Sequence, residues 1–404
     1  MLQRDACLII NAGSSSLKFS VFLGSGKAEL EAVINGQISG IGTEPRFLAK
    51  DASKRVLADQ ALEQSDRAAL LGFLLRWIER EAEGVRLVAA GHRVVHGGTR
   101  FAAPVRLTPE VLAELEGLIP LAPLHQPHNL AAMKALAEVF PALPQVACFD
   151  TAFHQTQPWQ SQTFAIPREL TEEGVRRYGF HGLSYEYIAQ RLPQVAPELA
   201  EARVLVCHLG SGASLCAMRA GKSVDTSMGF TALDGVPMGT RPGSIDPGVL
   251  IYLMRQKGMG ADEIERLLYH KSGLLGVSGI SNDMRDLENS DAPAAAEALE
   301  LFCHGVAKQG AALAGSMGGL DAVVFTAGVG ENSTLVRSRV SEKLGWLGVT
   351  LDAAANRAKA TRISAADSRI PVFVIPTDEE RMIASHTLDT LAHGTARHAL
   401  LAAE

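Results

Sequence analysis

The sequence lacks the features that mark a secreted, membrane-bound or nucleic-acid-binding protein. Its five cysteines (Cys7, Cys148, Cys207, Cys216 and Cys303) show no C-x-x-C spacing. That is the pattern of buried, reduced thiols in a cytosolic protein. No uninterrupted apolar stretch is long enough to cross a bilayer. Arg4 and Asp5 precede only a short apolar run, too little for a signal peptide. The net charge of −6 comes without a basic block, which argues against a nucleic-acid surface. A cytoplasmic chain with neither a membrane nor a nucleic-acid partner is expected. What remains is an ordinary globular composition, 47% hydrophobic and 20% charged, over 404 residues. That length exceeds one core and predicts two domains.

Residues 7–22, CLIINAGSSSLKFSVF, read as strand, small-residue turn and alternating strand, a β-hairpin. A P-loop or a dinucleotide-binding turn would open a helix at this point, so both are excluded. Small residues admit a ligand close to the backbone, and N–H groups with three hydroxyls and the Lys18 ammonium suit a phosphate. The pattern returns at 204–218, VLVCHLGSGASLCAM. Two such hairpins suggest a duplicated domain with a phosphate held between the copies. A third glycine turn is expected after another strand, in residues 322–333, AVVFTAGVGENS.

Between these hairpins the pattern predicts strands at 32–38, 85–90 and 145–149 and helices at 66–83 and 128–139. Thr108 and Pro109 form the cap and first position of another helix. Helices follow near 247–257, 261–269 and 292–316, a strand at 321–326, a helix from Ser333, and a last strand at 371–375. The alternation gives an α/β architecture. The domain boundary falls at residue 150: residues 1–150 plus about 381–404 form one domain and 151–380 the other. The closing helix is expected to start at Thr377, where Thr377 and Glu380 make a capping box. That would occupy Glu380 with the backbone and leave Glu379 to face a metal.

Several residues suggest chemistry. Arg93 ends a strand inside GHRVVHGG, where its planar guanidinium suits a carboxylate or phosphate. Asp150 directly follows a strand and either faces a cleft or caps its turn. His92, His96, His125, His128, His154, His181 and His208 do not form a helical zinc motif, because GHRVVHGG is extended and lacks the intervening glutamate. His181, in YGFHGLS, is the best ligand-facing donor among them. Residues 225–248 have no regular period and carry one basic residue, Arg241, among three aspartates. A loop of that kind is functional unless Arg241 merely pairs with its own segment.

Taken together, INAGSSSLKF, GHRVVHGG, FDTAFHQT, YGFHGLSYEY, CHLGSGAS, the 225–248 segment, FTAGVGEN and IPTDEE resemble the acetate kinase family nearly end to end. The resemblance implies duplicated ribonuclease H-like domains of the actin-like ATPase and sugar kinase type, with a nucleotide cleft between them. It implies Mg2+-dependent phosphoryl transfer between ATP and acetate, with Mn2+ as an alternative ion, and a homodimer. Carried over by position, Arg93, Asp150, His181 and Arg241 are catalytic, and Asn11 and Glu379 are metal-associated. The acetate pocket takes Arg93, Val95, Leu124, Phe180 and Ala232. ATP contacts fall on Lys18, His208, Leu209, Gly210, Ser211, Gly212, Asp283, Met284, Arg285, Gly328, Val329, Gly330, Glu331 and Asn332. Ser211 stands where the family usually has Asn, and Ala232 where it has Pro. The alternatives are a propionate or other short-chain acyl kinase, an actin-like or chaperone-type ATPase, and a dehydrogenase using GVGENS, which lacks the third glycine.

Overall fold

A computed structural model describes residues 4–24, 30–81 and 84–401. The chain divides into two compact units, Met1–Ala152 with Asp378–Glu404, and Phe153–Thr377. In the first unit β1 (Arg4–Ala12), β2 (Ser16–Leu23), β3 (Glu31–Ser39), β4 (Arg46–Asp51) and β5 (Val56–Ala61) form an antiparallel meander. Helix α1 (Arg67–Glu81) leads to β6 (Val85–Val94) and β7 (Val105–Arg106). Helices α2 (Pro109–Glu116) and α3 (Gln126–Val139) precede β8 (Gln145–Phe149). Thr108 Oγ1 accepts the Val111 N–H at 3.3 Å and Pro109 takes the first helical position of α2, as expected.

In the second unit α4 (Trp159–Gln162), α5 (Arg168–Glu172) and α6 (Gly182–Val195) precede β9 (Arg203–Leu209), β10 (Ala213–Arg219) and β11 (Lys222–Thr226). Five helices follow: α7 (Pro247–Lys257), α8 (Ala261–His270), α9 (Gly273–Ser278), α10 (Met284–Glu288) and α11 (Pro293–Met317). Then come β12 (Ala322–Thr326), α12 (Ala327–Asn332), α13 (Thr334–Lys343), α14 (Ala353–Arg357) and β13 (Val372–Val374). Helix α15 (Glu379–Leu401) returns to the first unit.

The two sheets carry the duplication. One reads β5-β4-β3-β2-β1-β6-β8-β7 and the other β11-β10-β9-β12-β13. The run β3-β2-β1-β6-β8 matches the whole second sheet in order and in sense: antiparallel hairpins on one side, parallel strands on the other. The parallel strands are covered on both faces, as such strands must be. Along β1, Ala6, Leu8, Ile10 and Ala12 pack with Leu70, Leu71, Leu74 and Leu75 of α1. The alternate face meets α15, so closely that a Cβ on Gly91 would lie 2.3 Å from Thr387 Oγ1.

Three expectations change. Strands β4 and β5 are additional; β5 is almost wholly exposed and carries no alternation. Residues 327–332 are helical rather than a glycine turn, and the reversal sits on Ala327, at φ +65°. Helix α15 starts at Glu379, and its cap is Asp378, whose Oδ1 accepts the Arg381 N–H at 2.9 Å. Thr377 and Glu380 therefore form no capping box. The Thr377 N–H instead donates to Glu331 Oε1 at 3.2 Å.

Candidate functional site

In the first unit the chemistry gathers at the carboxyl ends of three parallel strands, the usual ligand end of such sheets. Asn11 lies one residue beyond the register pair Ile10–His92, level with Arg93 on β6, and Asp150 directly follows β8. Asn11 also pairs with Lys18 across the first hairpin, so the two side chains share a face. Arg93 donates through Nε and Nη2 to the two oxygens of Asp150, at 3.1 and 2.6 Å. Glu379 Oε2, at the start of α15, is 3.8 Å from Arg93 Nε. The Arg93 side chain is 21% exposed and that of Asp150 only 2%, so the pair is shielded and this fork fixes the guanidinium plane. Burial opposes the Arg93 charge, yet Asp150, Glu379 and Glu380 outweigh it and push its pKa up.

Burial raises the Glu380 pKa above the ordinary carboxylate value; its own N–H and Lys18 pull the other way, and Glu379 and Asp378 reinforce burial. Asn129, which sequence reasoning missed, staples β1 to β6: its Nδ2 donates to the Ala12 carbonyl at 2.8 Å and its Oδ1 accepts the Val95 N–H at 3.2 Å. Val95 and Leu124 are half-buried in this unit. Among the described residues no cluster of three His, Cys, Asp or Glu side chains is arranged to hold a metal. Asn11 and Glu379 supply hard oxygen donors instead. Magnesium takes only one or two protein ligands when phosphates and water complete its shell, so that donor set fits.

In the second unit His181 sits at the N-cap of α6 in the left-handed region, φ +58°. Its ring stacks on His208 of β9, with centroids 4.2 Å apart and planes 16° apart. A Cβ on Gly212 would lie 2.6 Å from Arg241 Nη2 and 3.5 Å from His181 Nε2. The hairpin tip, the guanidinium and the imidazole thus converge on one point, and a side chain at Gly212 would displace the Arg241 guanidinium. Arg241 Nη1 donates to the Ala232 carbonyl at 2.8 Å, a backbone contact within its own loop. Phe180 is buried and its carbonyl meets His154 Nε2 at 2.9 Å.

Beside that point lies a cavity of about 570 Å3. Gly210, Ser211, Asp283, Met284, Arg285, Gly328, Val329 and Asn332 line it, together with Gly239, Leu274, Asn282, Glu288 and Ser333, which the sequence did not single out. Asp283 caps α10 by accepting the Arg285 N–H, and the Arg285 guanidinium side chain holds its pKa down to about 2. Of the other expected nucleotide residues, Leu209 is wholly buried, Gly330 gives its carbonyl to buried Arg337 at 2.9 Å, and Glu331 is spent on Thr377. Lys18 belongs to the other unit. Arg337 also bonds the Asn356 side chain and carbonyl, at 2.7 and 3.0 Å, pinning α12 from beneath. All five cysteines lie among the described residues, are buried, and take part in no disulfide there.

Comparison with known proteins gives consistent findings. The model of the Acetokinase family matches residues 6–385. The chain is similar to the acetate kinase of Nitrobacter hamburgensis, at 54% identity over 390 residues and 96% of each chain. It is 53% identical to that of Rhodopseudomonas palustris, covering 95% of this chain and 97% of the relative. Among solved structures, a propionate kinase from Francisella tularensis matches with a TM-score of 0.89 at 38% identity, covering 95% of this chain and 99% of that one. Porphyromonas gingivalis acetate kinase matches at 0.87 and 36%, covering 96% and 100%.

Proposed function

Because the chain belongs to the acetokinase family, we propose that it transfers the γ-phosphoryl group of ATP reversibly to acetate, giving acetyl phosphate and ADP. An acetate oxygen bonds to the γ-phosphorus while the bond to the β–γ bridging oxygen breaks and ADP leaves. Acetate is ionised at neutral pH, since a free carboxyl titrates near ~4, so the attack needs no general base. Catalysis is then positioning and charge stabilisation.

The roles follow from the side chains. Arg93 grips the acetate carboxylate, and Asp150 sets the plane of that guanidinium rather than moving a proton. Arg241 and His181 donate to phosphoryl oxygens as charge develops. The cavity lined by Gly210, Asp283, Arg285 and Gly328 holds the nucleotide. Asn11 and Glu379 would hold Mg2+, which when bound draws charge from the phosphate oxygens. The observation that carries this reading is the convergence of Arg241 Nη2 and His181 Nε2 at Gly212, next to that cavity.

Trapping the acyl phosphate with hydroxylamine tests it: acetate, ATP and enzyme should yield acetohydroxamate. ATP hydrolysis without hydroxamate would point to an actin-like or chaperone-type ATPase instead. A propionate kinase is the second reading, favoured by Ala232 and by the likeness to the Francisella propionate kinase; running the same assay across chain lengths separates the two. We assign a homodimer as the working assembly, supported by α7. None of its residues is buried, and Val249, Ile251, Tyr252 and Met254 are exposed on it.

A further inference from the structure

Helix α6 presents three residues to the second hairpin from one face, at the spacing that brings helical side chains together. His181 opens the series; Ser184 and Tyr185 follow one turn later. Ser184 Oγ is 2.8 Å from His208 Nδ1. Ser214, which pairs with His208 across β9 and β10, places its Oγ 2.8 Å from His181 Nδ1 and 2.5 Å from the Tyr185 hydroxyl. Ser184, Tyr185 and Ser214 are fully buried, so the relay is shielded from bulk water.

A serine hydroxyl has one proton, and this one stands between an imidazole nitrogen and a phenol. A phenol, with a pKa near ~10, is the stronger donor, and a neutral ring nitrogen is a good acceptor. The matching order is Tyr185 O–H to Ser214 Oγ, and Ser214 O–H to His181 Nδ1. Nδ1 then accepts, so the ring proton resides on Nε2, the atom directed at Gly212 beside Arg241. We infer that Tyr185 and Ser214 are positioning residues that lock His181 in the Nε2–H tautomer, presenting a donor to the transferred phosphoryl group. This rests on the phosphotransfer reading for the identity of the acceptor, though not for the tautomer itself.

Tyr185→Phe keeps the ring packed against Phe153 and His208 and removes only the hydroxyl. Two-bond 1H–15N correlation spectra of the natural protein should show His181 protonated at Nε2, and those of Tyr185→Phe a mixture of tautomers. The variant's kcat should drop about ten- to a hundredfold, the range for removing groups that orient a functional histidine, with KM for ATP within about twofold. A proton on Nδ1 in the natural protein, or an unchanged tautomer and kcat in Tyr185→Phe, overturns the inference. Failure of the parent enzyme to make hydroxamate would overturn the function instead and leave the spectra to judge the relay alone.

Discussion

Arg241 divides its guanidinium between two tasks: Nη1 holds the Ala232 carbonyl while Nη2 faces Gly212. Lysine keeps the charge but has one nitrogen, which cannot serve both directions. Arg241→Lys should therefore fall about a hundred- to a thousandfold in kcat, close to Arg241→Ala. Near-full turnover of the lysine variant in an ADP-release assay would remove the fork from the mechanism. Ala232 invites a second test. Proline there keeps the carbonyl that Arg241 needs, while adding apolar volume and fixing φ. Pocket discrimination of one methylene is worth about 1–3 kcal/mol, so Ala232→Pro should favour acetate over propionate several-fold more than the natural chain. Equal kcat/KM ratios in both proteins would mean that this side chain does not set acid length.

At the scale of elements, the start of α15 and the underside of α12 make contrasting claims. Asp378→Ala removes the cap of α15 and should cost about 1 kcal/mol in urea unfolding. The Thr377 hydroxyl is buried without a hydrogen-bond partner, so Thr377→Val should be neutral or slightly stabilising. The reverse ranking would restore threonine as the cap. Arg337 is fully buried, and its three bonds hold Gly330 and Asn356. Arg337→Met should destabilise by about 3 kcal/mol and raise KM for ATP more than KM for acetate. An unchanged KM for ATP would show that α12 keeps its place without this anchor. These elements also mark what the sequence could reveal. Both hairpins were legible because alternation and small residues coincide at 7–22 and 204–218. The exposed meander strand β5 buries no face and so leaves no pattern. The glycines of 328–330 disguised a helix whose turn is made by Ala327. In the site, residue chemistry pointed to Arg93, His181 and Arg241. Asn129, Ser214 and Arg337 stayed hidden because their partners are brought in by the fold, for Asn129 from 117 residues away.

Over the whole molecule, burial lowers His92, His96 and His154 from 6.5 to about 4. The unfolded chain takes up these protons near pH 6.5, whereas the folded chain resists until near 4. Stability is therefore complete above pH 6.5 and declines as pH falls toward 4, by up to about 3 kcal/mol for each histidine. The urea midpoint at about pH 5 should lie clearly below that at about pH 7; coincident midpoints would contradict the burial of these rings as neutral bases. Helix α15 carries a separate consequence, one of time. It covers β1, β6 and β8 and brings Glu379 beside Arg93, yet it leaves the ribosome only after the whole second unit, which precedes it in the chain. The second unit emerges as one uninterrupted segment and can fold on emergence, while the strands of the first wait, half-covered, until α15 has been made. A chain broken off before α15 thus lacks both the cover of its sheet and one wall of its charge cluster. Premature termination yields a product that is inactive and sticky at once, the kind that cellular quality control removes.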